Sequence, residues 1–207
     1  MVDTRQKLID GALRAVRTQG IAGVSARTIA TSAGVNQALV FYHFGSVDEL
    51  LGQACAQATA ERIEVYRDRM AAVASFRELL DLGRTLHTEE RAQGNVAVLA
   101  QLLAGAQTDD RLAAPLASAL GLWVAEIEAV LHRLLAGSPV AAVADPAGLA
   151  RAVSAAFIGL ELFEGVDPAG AQAALDSLQR LAVLIEVVED LGPVARRALK
   201  AKLRKST

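Results

Sequence analysis

Apolar residues recur every three or four positions along most of the chain, and this spacing predicts amphipathic helices. The first apolar stripe follows a capping residue at Asp3 or Thr4, includes Leu8 and Val16, and ends at Gly20. Alternating strand patterns are scarce and there are only five prolines, so the fold class that we expect is all-α. Further helices are predicted at about 46–74, 76–91, 96–107, 111–136, 146–164 and 168–191, followed by a short basic helix or frayed tail from Val194.

The stretch from Ser25 to Phe44 predicts two short helices joined by a tight turn. Ser25 is a good cap for the first helix, and Gly34 permits a left-handed turn after it. Asn36 is a cap for the second helix, which Val40 and Phe44 would seat on the first. Such a pair is a helix-turn-helix, a motif whose second helix can enter a DNA major groove.

Four runs of residues carry a family resemblance. They are Arg27-Thr28-Ile29-Ala30, Ala33-Gly34-Val35, Val40-Phe41-Tyr42-His43-Phe44 and Ser46-Val47-Asp48-Glu49-Leu50. Together they resemble the DNA-binding part of TetR-family transcriptional regulators, over roughly the first quarter of the chain. The remainder is similar to the family only in length and helical character.

The resemblance implies a helix-turn-helix DNA-binding domain at 1–45 and a larger helical ligand-binding and dimerisation domain at 46–207. It also implies a homodimer that binds a near-palindromic operator in double-stranded DNA. The expected mode is repression, relieved by a small apolar or amphipathic effector of unknown identity. The alternative is an all-α protein-interaction or effector-binding module with little affinity for DNA.

Within the predicted DNA-binding domain, Gln37 is the best candidate for reading a base, because a side-chain amide can bond adenine through two atoms. The alternative is that Gln37 is an ordinary solvated surface residue. The same alternative applies to Arg27. Tyr42 and His43 could contact phosphate or pack within the domain. The full set of expected DNA contacts is Arg27, Thr28, Asn36, Gln37, Ala38, Leu39, Phe41, Tyr42 and His43.

Two positions depart from the family pattern. Phe41 stands where the family usually has tyrosine, and Val47 stands where a lysine is frequent. The first 50 residues also carry only a slight excess of basic over acidic side chains. We therefore expect a shallow dependence of DNA affinity on salt, since each neutralised phosphate adds roughly 0.9 to the slope.

The last two long helices carry apolar stripes. From the pattern alone such stripes are typical of ordinary core. The resemblance instead implies an interface between two subunits, which would present two recognition helices about 34–36 Å apart to successive major grooves. The expected interface residues are Val153, Phe157, Leu160, Leu178, Leu181, Ile185 and Val188.

The C-terminal region has sparse large or polar side chains among many small apolar ones, a mixture that can line an effector pocket. The expected pocket residues are Phe76, His87, Gln101, Trp123, Glu126 and Phe157. The alternative is that Trp123 and Phe157 are core and the histidine is a surface or satisfied group. His87 lies near Glu89 and Glu90 in sequence, but neighbours on a helix point in different directions, so no metal site is expected.

The composition and the motifs of the chain limit which other functions we expect. Catalytic or cofactor motifs such as HExxH, a glycine-rich phosphate loop or paired zinc cysteines are missing from the sequence, so no enzyme activity, cofactor or metal is expected. We see no signal peptide and no apolar run long enough to cross a bilayer, and the single Cys55 cannot form an internal disulfide. These features favour a soluble cytoplasmic protein without a membrane partner. The tail is basic, and its role stays open between a nucleic-acid or membrane contact and a solvated helix end.

Overall fold

The computed structural model describes residues 3–136, 138–142, 144–189 and 191–203. Every regular element in these ranges is helical, which confirms the all-α expectation. Predicted and observed helix ends agree within two residues, and the basic tail is helical as far as Leu203. The helices are α1 (Thr4–Gln19), α2 (Ala26–Ala33), α3 (Ala38–Phe44), α4 (Val47–Ala72), α5 (Phe76–Ala92), α6 (Asn95–Ala106), α7 (Asp110–Leu135), α8 (Pro146–Glu164), α9 (Pro168–Glu189) and α10 (Pro193–Leu203), with short 3-10 turns at Ile21–Gly23 and Pro139–Ala142.

The chain forms two compact units. Within the described ranges, the first unit comprises residues 3–65 and 89–123, and the second comprises 66–88 and 124–203. Three long helices, α4, α5 and α7, therefore contribute residues to both units. The division at residue 45 into a DNA-binding and a ligand-binding domain stays a prediction.

The first unit has one apolar core to which α1, α2, α3, α4, α6 and α7 all contribute. Leu8 of α1, Ile29 of α2, Val40 of α3, Leu50 of α4 and Leu102 of α6 are each fully or almost fully buried in it. Such burial stabilises the unit by about 1.5–3 kcal/mol for each large aliphatic side chain, relative to leaving it exposed. The short α2 and α3 are thus held by tertiary packing, which helices of this length require.

A polar contact fixes the connection between α1 and α2. Gly20 ends α1 with a φ of 73°, a conformation that favours glycine. The backbone N–H of Ile21, which begins the following turn, donates to Oε1 of Gln101 in α6 at an N···O distance of 2.8 Å. One side chain of α6 therefore satisfies a backbone donor at the entrance to the helix-turn-helix.

In the second unit, an aspartate that directly precedes a proline caps each of two long helices. The carboxylate of Asp145 accepts from the backbone N–H groups of Ala147 and Gly148 at 3.1 and 3.0 Å. Asp167 accepts from Gly170 at 2.9 Å in the same manner at the start of α9. α8 and α9 pack against each other. A separate small core gathers Leu131, Leu135 and Ala150, with Phe76 packed against it.

At the start of α4, the Ser46 hydroxyl accepts from the backbone N–H of Glu49 at 3.0 Å, and Oε1 of Glu49 accepts from the side-chain amide of Gln53. The expectation that no apolar run is long enough to cross a bilayer is wrong: Asp110–Leu135 and Pro146–Glu164 pass the criteria of length and composition. Alanine- and leucine-rich helices of water-soluble proteins pass the same test, so this is weak evidence for a membrane span.

Candidate functional site

The N-terminus of α2 is closed by a reciprocal pair of hydrogen bonds. The backbone N–H of Thr28 donates to the Ser25 hydroxyl at 3.2 Å, and the backbone N–H of Ser25 donates to Oγ1 of Thr28 at 2.8 Å. This is a capping box with threonine in the position usually held by glutamate. The Thr28 hydroxyl is thereby committed to the fold, whereas the Arg27 side chain beside it is exposed.

The turn between α2 and α3 is made by Gly34 and Asn36. Gly34 has φ 68° and ψ 35°, the left-handed conformation that its sequence position predicted. The backbone N–H of Ala38 donates to Oδ1 of Asn36 at 2.8 Å, so the predicted cap is present. Because this cap fixes the first turn of α3, it also fixes the direction in which the Gln37 side chain projects from the protein surface.

α3 is seated by one face and exposed on the other. Val40 and Phe44 are buried, and the guanidinium of Arg5 lies over the Phe44 ring at 5.1 Å from its centroid. We define the recognition surface as the predicted DNA contacts whose side chains are exposed, namely Arg27, Asn36, Gln37, Ala38, Phe41 and Tyr42. The predicted edge therefore faces outward from its own unit.

Three of the predicted DNA contacts are half-buried and do not belong to the recognition surface. Leu39 is half-buried and packs on the first unit's core. His43 is half-buried, with ring centroids of Tyr42 and Phe44 at 5.0 and 6.4 Å from its own. Thr28 is half-buried in the capping box described above. Their contribution to DNA binding stays a prediction.

Acidic charge close to the start of α4 is partly offset by Arg111. Its guanidinium lies 3.5 Å from the Asp48 carboxylate and 3.1 Å from that of Asp109. Hydrogen bonds donated by the Arg111 side chain and backbone lower the pKa of the half-buried Asp109 carboxyl below its ordinary value. The Asp109 carboxyl is therefore ionised at neutral pH beside the Arg111 guanidinium.

The residues expected to line an effector pocket are divided between the two units. His87 and Phe157 meet in the second unit, with ring centroids 6.1 Å apart and planes at 85°. Phe76 packs against the small core of Leu131, Leu135 and Ala150 in that unit. Glu126 is half-buried in the same unit. Trp123 is half-buried in the first unit, as is Gln101, which holds the Ile21 turn.

Sequence reasoning missed two carboxylates at His87. Nδ1 of His87 contacts the Glu161 carboxylate, and Nε2 lies 2.5 Å from Oε2 of Glu164. These partners lie more than 70 positions further along the chain, so proximity in sequence could not find them. The available signal was the spacing of Glu161 and Glu164, which places both carboxylates on one face of the largely apolar α8.

The expected interface positions on α8 and α9 lie on an incompletely covered apolar surface. Val153 is 38% exposed and Leu178 is 40% exposed. Phe157, Leu160 and Val188 are half-buried, and Leu181 and Ile185 lie outside the residues whose side chains the structure describes. Leu184 and Val187, which were not predicted, are more exposed still. This apolar surface is wider than the predicted set.

Comparison with known proteins supports the family resemblance that the N-terminal sequence indicated. Residues 8–54 match the sequence profile described as bacterial regulatory proteins, tetR family. An uncharacterised HTH-type transcriptional regulator of Mycobacterium bovis is 26% identical over 125 residues, which are 60% of this chain and 64% of that protein. The chain thus spans slightly less than two thirds of that relative. The HTH-type nicotine-responsive transcriptional repressor HdnoR of Paenarthrobacter nicotinovorans is 45% identical over 56 residues, 27% of this chain and 29% of that one.

Solved structures extend the likeness to nearly the whole chain. A Rhodococcus sp. protein assigned to the TetR-family transcriptional regulators has a TM-score of 0.71 and 25% identity, covering 89% of this chain and 99% of that one. The multidrug binding protein EbrR, solved with imidazole, has a TM-score of 0.64 and 27% identity, covering 87% and 96%. A second structure of EbrR holds proflavin.

Proposed function

This chain belongs to the TetR family of bacterial regulatory proteins, and from that premise we propose that it is a DNA-binding transcriptional repressor. We propose that it binds a near-palindromic operator as a homodimer and is released by a small apolar or amphipathic effector. Its relatives are regulators rather than enzymes, and we propose neither a catalytic activity nor a membrane partner. Its proposed location is the cytoplasm.

The outward edge of α3 is the observation that carries this proposal. Gln37 and Ala38 are exposed at the start of the helix, while Val40 and Phe44 anchor its opposite face in the core. A rigid short helix with a polar, small-residue leading edge fits the width of a major groove and can present an amide to a base edge. Asn36 directly precedes that edge and Arg27 is exposed on α2, and we propose that both contact the phosphate backbone.

A dimer is supported by the apolar surface of α8 and α9. A single recognition helix reads only a few base pairs, whereas two related by a twofold axis read successive major grooves. Val153 and Leu178 are among the large apolar side chains left exposed on these helices, as an interface with a second copy requires. Burial of this surface between two copies would remove it from water.

An effector of the proposed kind is supported by two relatives. HdnoR is nicotine-responsive, and EbrR has been solved with imidazole and with proflavin. In the proposed mechanism, an effector binds preferentially to a state whose recognition helices are wrongly spaced for the operator, and so shifts the population away from the DNA-binding state. We place the effector site among the helices of the second unit, near His87 and Phe157.

Fluorescence anisotropy with labelled duplexes tests DNA binding. Overlapping duplexes from the region upstream of the protein's own coding sequence are titrated with the full chain, and scrambled duplexes of the same composition serve as controls. We expect at least one duplex to bind about 10³-fold more tightly than its scrambled control. Equal affinity for all duplexes would contradict the proposal and favour the interaction-module alternative.

The effector is sought by thermal shift over a panel of small apolar and amphipathic molecules. A compound that raises the midpoint of unfolding is then added to the protein–duplex complex. We expect the same compound to release the DNA at concentrations that stabilise the free protein. Stabilisation by every such compound without any change in DNA affinity would rule out the coupling.

A further inference from the structure

A histidine held between two carboxylates forms a compact cluster in the second unit. His87 comes from α5, and Glu161 and Glu164 come from successive turns of α8. One donor atom from each residue can be chosen so that all three lie within 4.8 Å of one another. An ion at the centre of such a triangle would lie at most about 2.8 Å from each donor, so each donor needs to move by at most about 0.6–0.8 Å to give metal–ligand distances of about 2.0–2.2 Å.

The cluster is shielded from solvent. The side chains of His87 and Glu161 are 9% and 4% exposed, and that of Glu164 is 23% exposed. The ring of Phe157 stands edge-on to the imidazole and forms an apolar wall. Charged groups in such surroundings are costly unless they are paired or coordinate a metal ion. The greater exposure of Glu164 marks the side from which an ion and its waters can enter.

The charge of the three groups attracts a divalent ion. With a neutral imidazole, the two carboxylates carry a charge of −2. With an imidazolium, the three groups still carry −1 among themselves. An imidazole nitrogen beside carboxylate oxygens favours first-row transition ions such as Zn²⁺ or Mn²⁺, because Mg²⁺ and Ca²⁺ prefer oxygen ligands only.

We propose that His87, Glu161 and Glu164 bind one divalent transition-metal ion per chain. One nitrogen of His87 coordinates the ion, because the two ring nitrogens point in different directions and cannot share it. The second nitrogen donates its N–H to a carboxylate oxygen, which fixes the tautomer and the orientation of the ring. The site shares His87 and Phe157 with the proposed effector site, but metal binding itself requires neither DNA nor an effector, so its test is separate from that of the repressor function.

Metal titration of the full chain, purified without a histidine tag and stripped by a chelator, tests the proposal. Isothermal titration with Zn²⁺ and with Mn²⁺ is expected to give saturable binding of one ion per chain for at least one of them, with no comparable binding of Mg²⁺. Glu161→Gln and Glu164→Gln preserve side-chain shape and remove one ligand charge each. We expect each to weaken binding by about 100-fold or more, since outer-shell partners alone contribute 10–100-fold.

His132→Asn is the matched control. His132 is an exposed histidine whose Nε2 lies 3.6 Å from the Glu128 carboxylate one helical turn away, so it reproduces the residue types of the cluster on the surface. This variant should bind the ion as the wild type does. Loss of binding in His132→Asn, or undiminished binding in Glu164→Gln, would assign the ion to another place and overturn the proposal.

A measurement on the wild type alone covers the possibility that a buried variant fails to fold. Co²⁺ bound by an imidazole gives visible d–d absorption and a strongly shifted imidazole N–H proton signal in NMR spectra. We expect both, at one equivalent of Co²⁺, with competition by Zn²⁺. Titrations of the wild type with Zn²⁺, Mn²⁺ and Co²⁺ that show no saturable binding would also overturn the proposal.

Discussion

Gly52 of α4 lies directly against Pro115 of α7. A methyl group built on Gly52 would place its carbon 2.1 Å from Cβ of Pro115, far inside van der Waals contact. α4 begins three residues after α3 ends, and Gly52 lies in the second turn of α4. The contact therefore sets the position of the helix segment that directly follows the recognition surface.

Substitution of Gly52→Ala should destabilise the protein. The added methyl overpacks the contact with Pro115, which typically costs about 1–3 kcal/mol. Replacing a glycine inside a helix offsets about 1 kcal/mol of this at most. We expect the free energy of unfolding, measured by urea denaturation, to fall. The control is Gly121→Ala in α7, where a methyl meets nothing within 4 Å, and stability should rise or stay unchanged. A stabilised Gly52→Ala variant would contradict the packing described here.

Local patterns predicted most of the helices and the DNA-binding motif, because caps and turns act over a few residues. Ser25, Gly34 and Asn36 each take the predicted conformation or hydrogen bond. What the sequence could not supply is the pairing of side chains from distant helices. Gln101 satisfies the N–H of Ile21, and His87 meets Glu161, through contacts that only the packing of whole helices creates. Burial of Leu39 likewise depends on how α3 sits on the core.

Stability should depend on the ionisation of Cys55 at alkaline pH. Burial raises the pKa of this thiol above its ordinary value of 9.0. A group whose pKa is higher in the folded than in the unfolded state stabilises the fold below the unfolded pKa and loses that contribution as pH rises through the folded pKa. We expect the stability difference between wild type and Cys55→Ala to shrink as the pH is raised through and above 9.0 in urea-unfolding experiments. A constant difference over that range would show that the thiol is not held protonated by burial.

Removal of the Gln37 side chain should weaken operator binding. If its amide reads a base through two hydrogen bonds, Gln37→Ala costs about 1–3 kcal/mol per subunit and relaxes the preference at one base position of each half-site. Anisotropy with operator variants at that position measures both effects. Gln19→Ala, which removes another exposed glutamine of the first unit at the end of α1, is the control and should leave affinity unchanged. Equal losses on specific and scrambled DNA would argue against base reading.

The salt dependence of operator binding should be shallow. Phe41 and Val47 supply neither a hydroxyl nor a charge to the phosphate backbone, and Asp48 adds negative charge at the start of α4. Each phosphate neutralised by a basic side chain adds about 0.9 to the slope of log affinity against log salt. Arg27→Ala should lower the slope by about that amount per subunit, whereas Arg180→Ala on α9 should not change it. A steep wild-type slope that survives Arg27→Ala would mean that the main phosphate contacts lie outside the recognition surface.

A charge on the apolar surface of α8 and α9 should separate the proposed dimer. Leu178 is 40% exposed in the single chain, and a second copy would cover it. Leu178→Glu would then bury a carboxylate in an apolar interface, which is costly unless a partner charge is supplied. Light scattering after size-exclusion chromatography should give twice 21.7 kDa for the wild type and a single 21.7 kDa chain for Leu178→Glu, with helical circular dichroism retained. Val65→Glu, which charges an exposed valine of the first unit, should remain dimeric. A wild-type mass of one chain, or a Leu178→Glu dimer, would exclude this surface as the interface and with it the simultaneous reading of two half-sites.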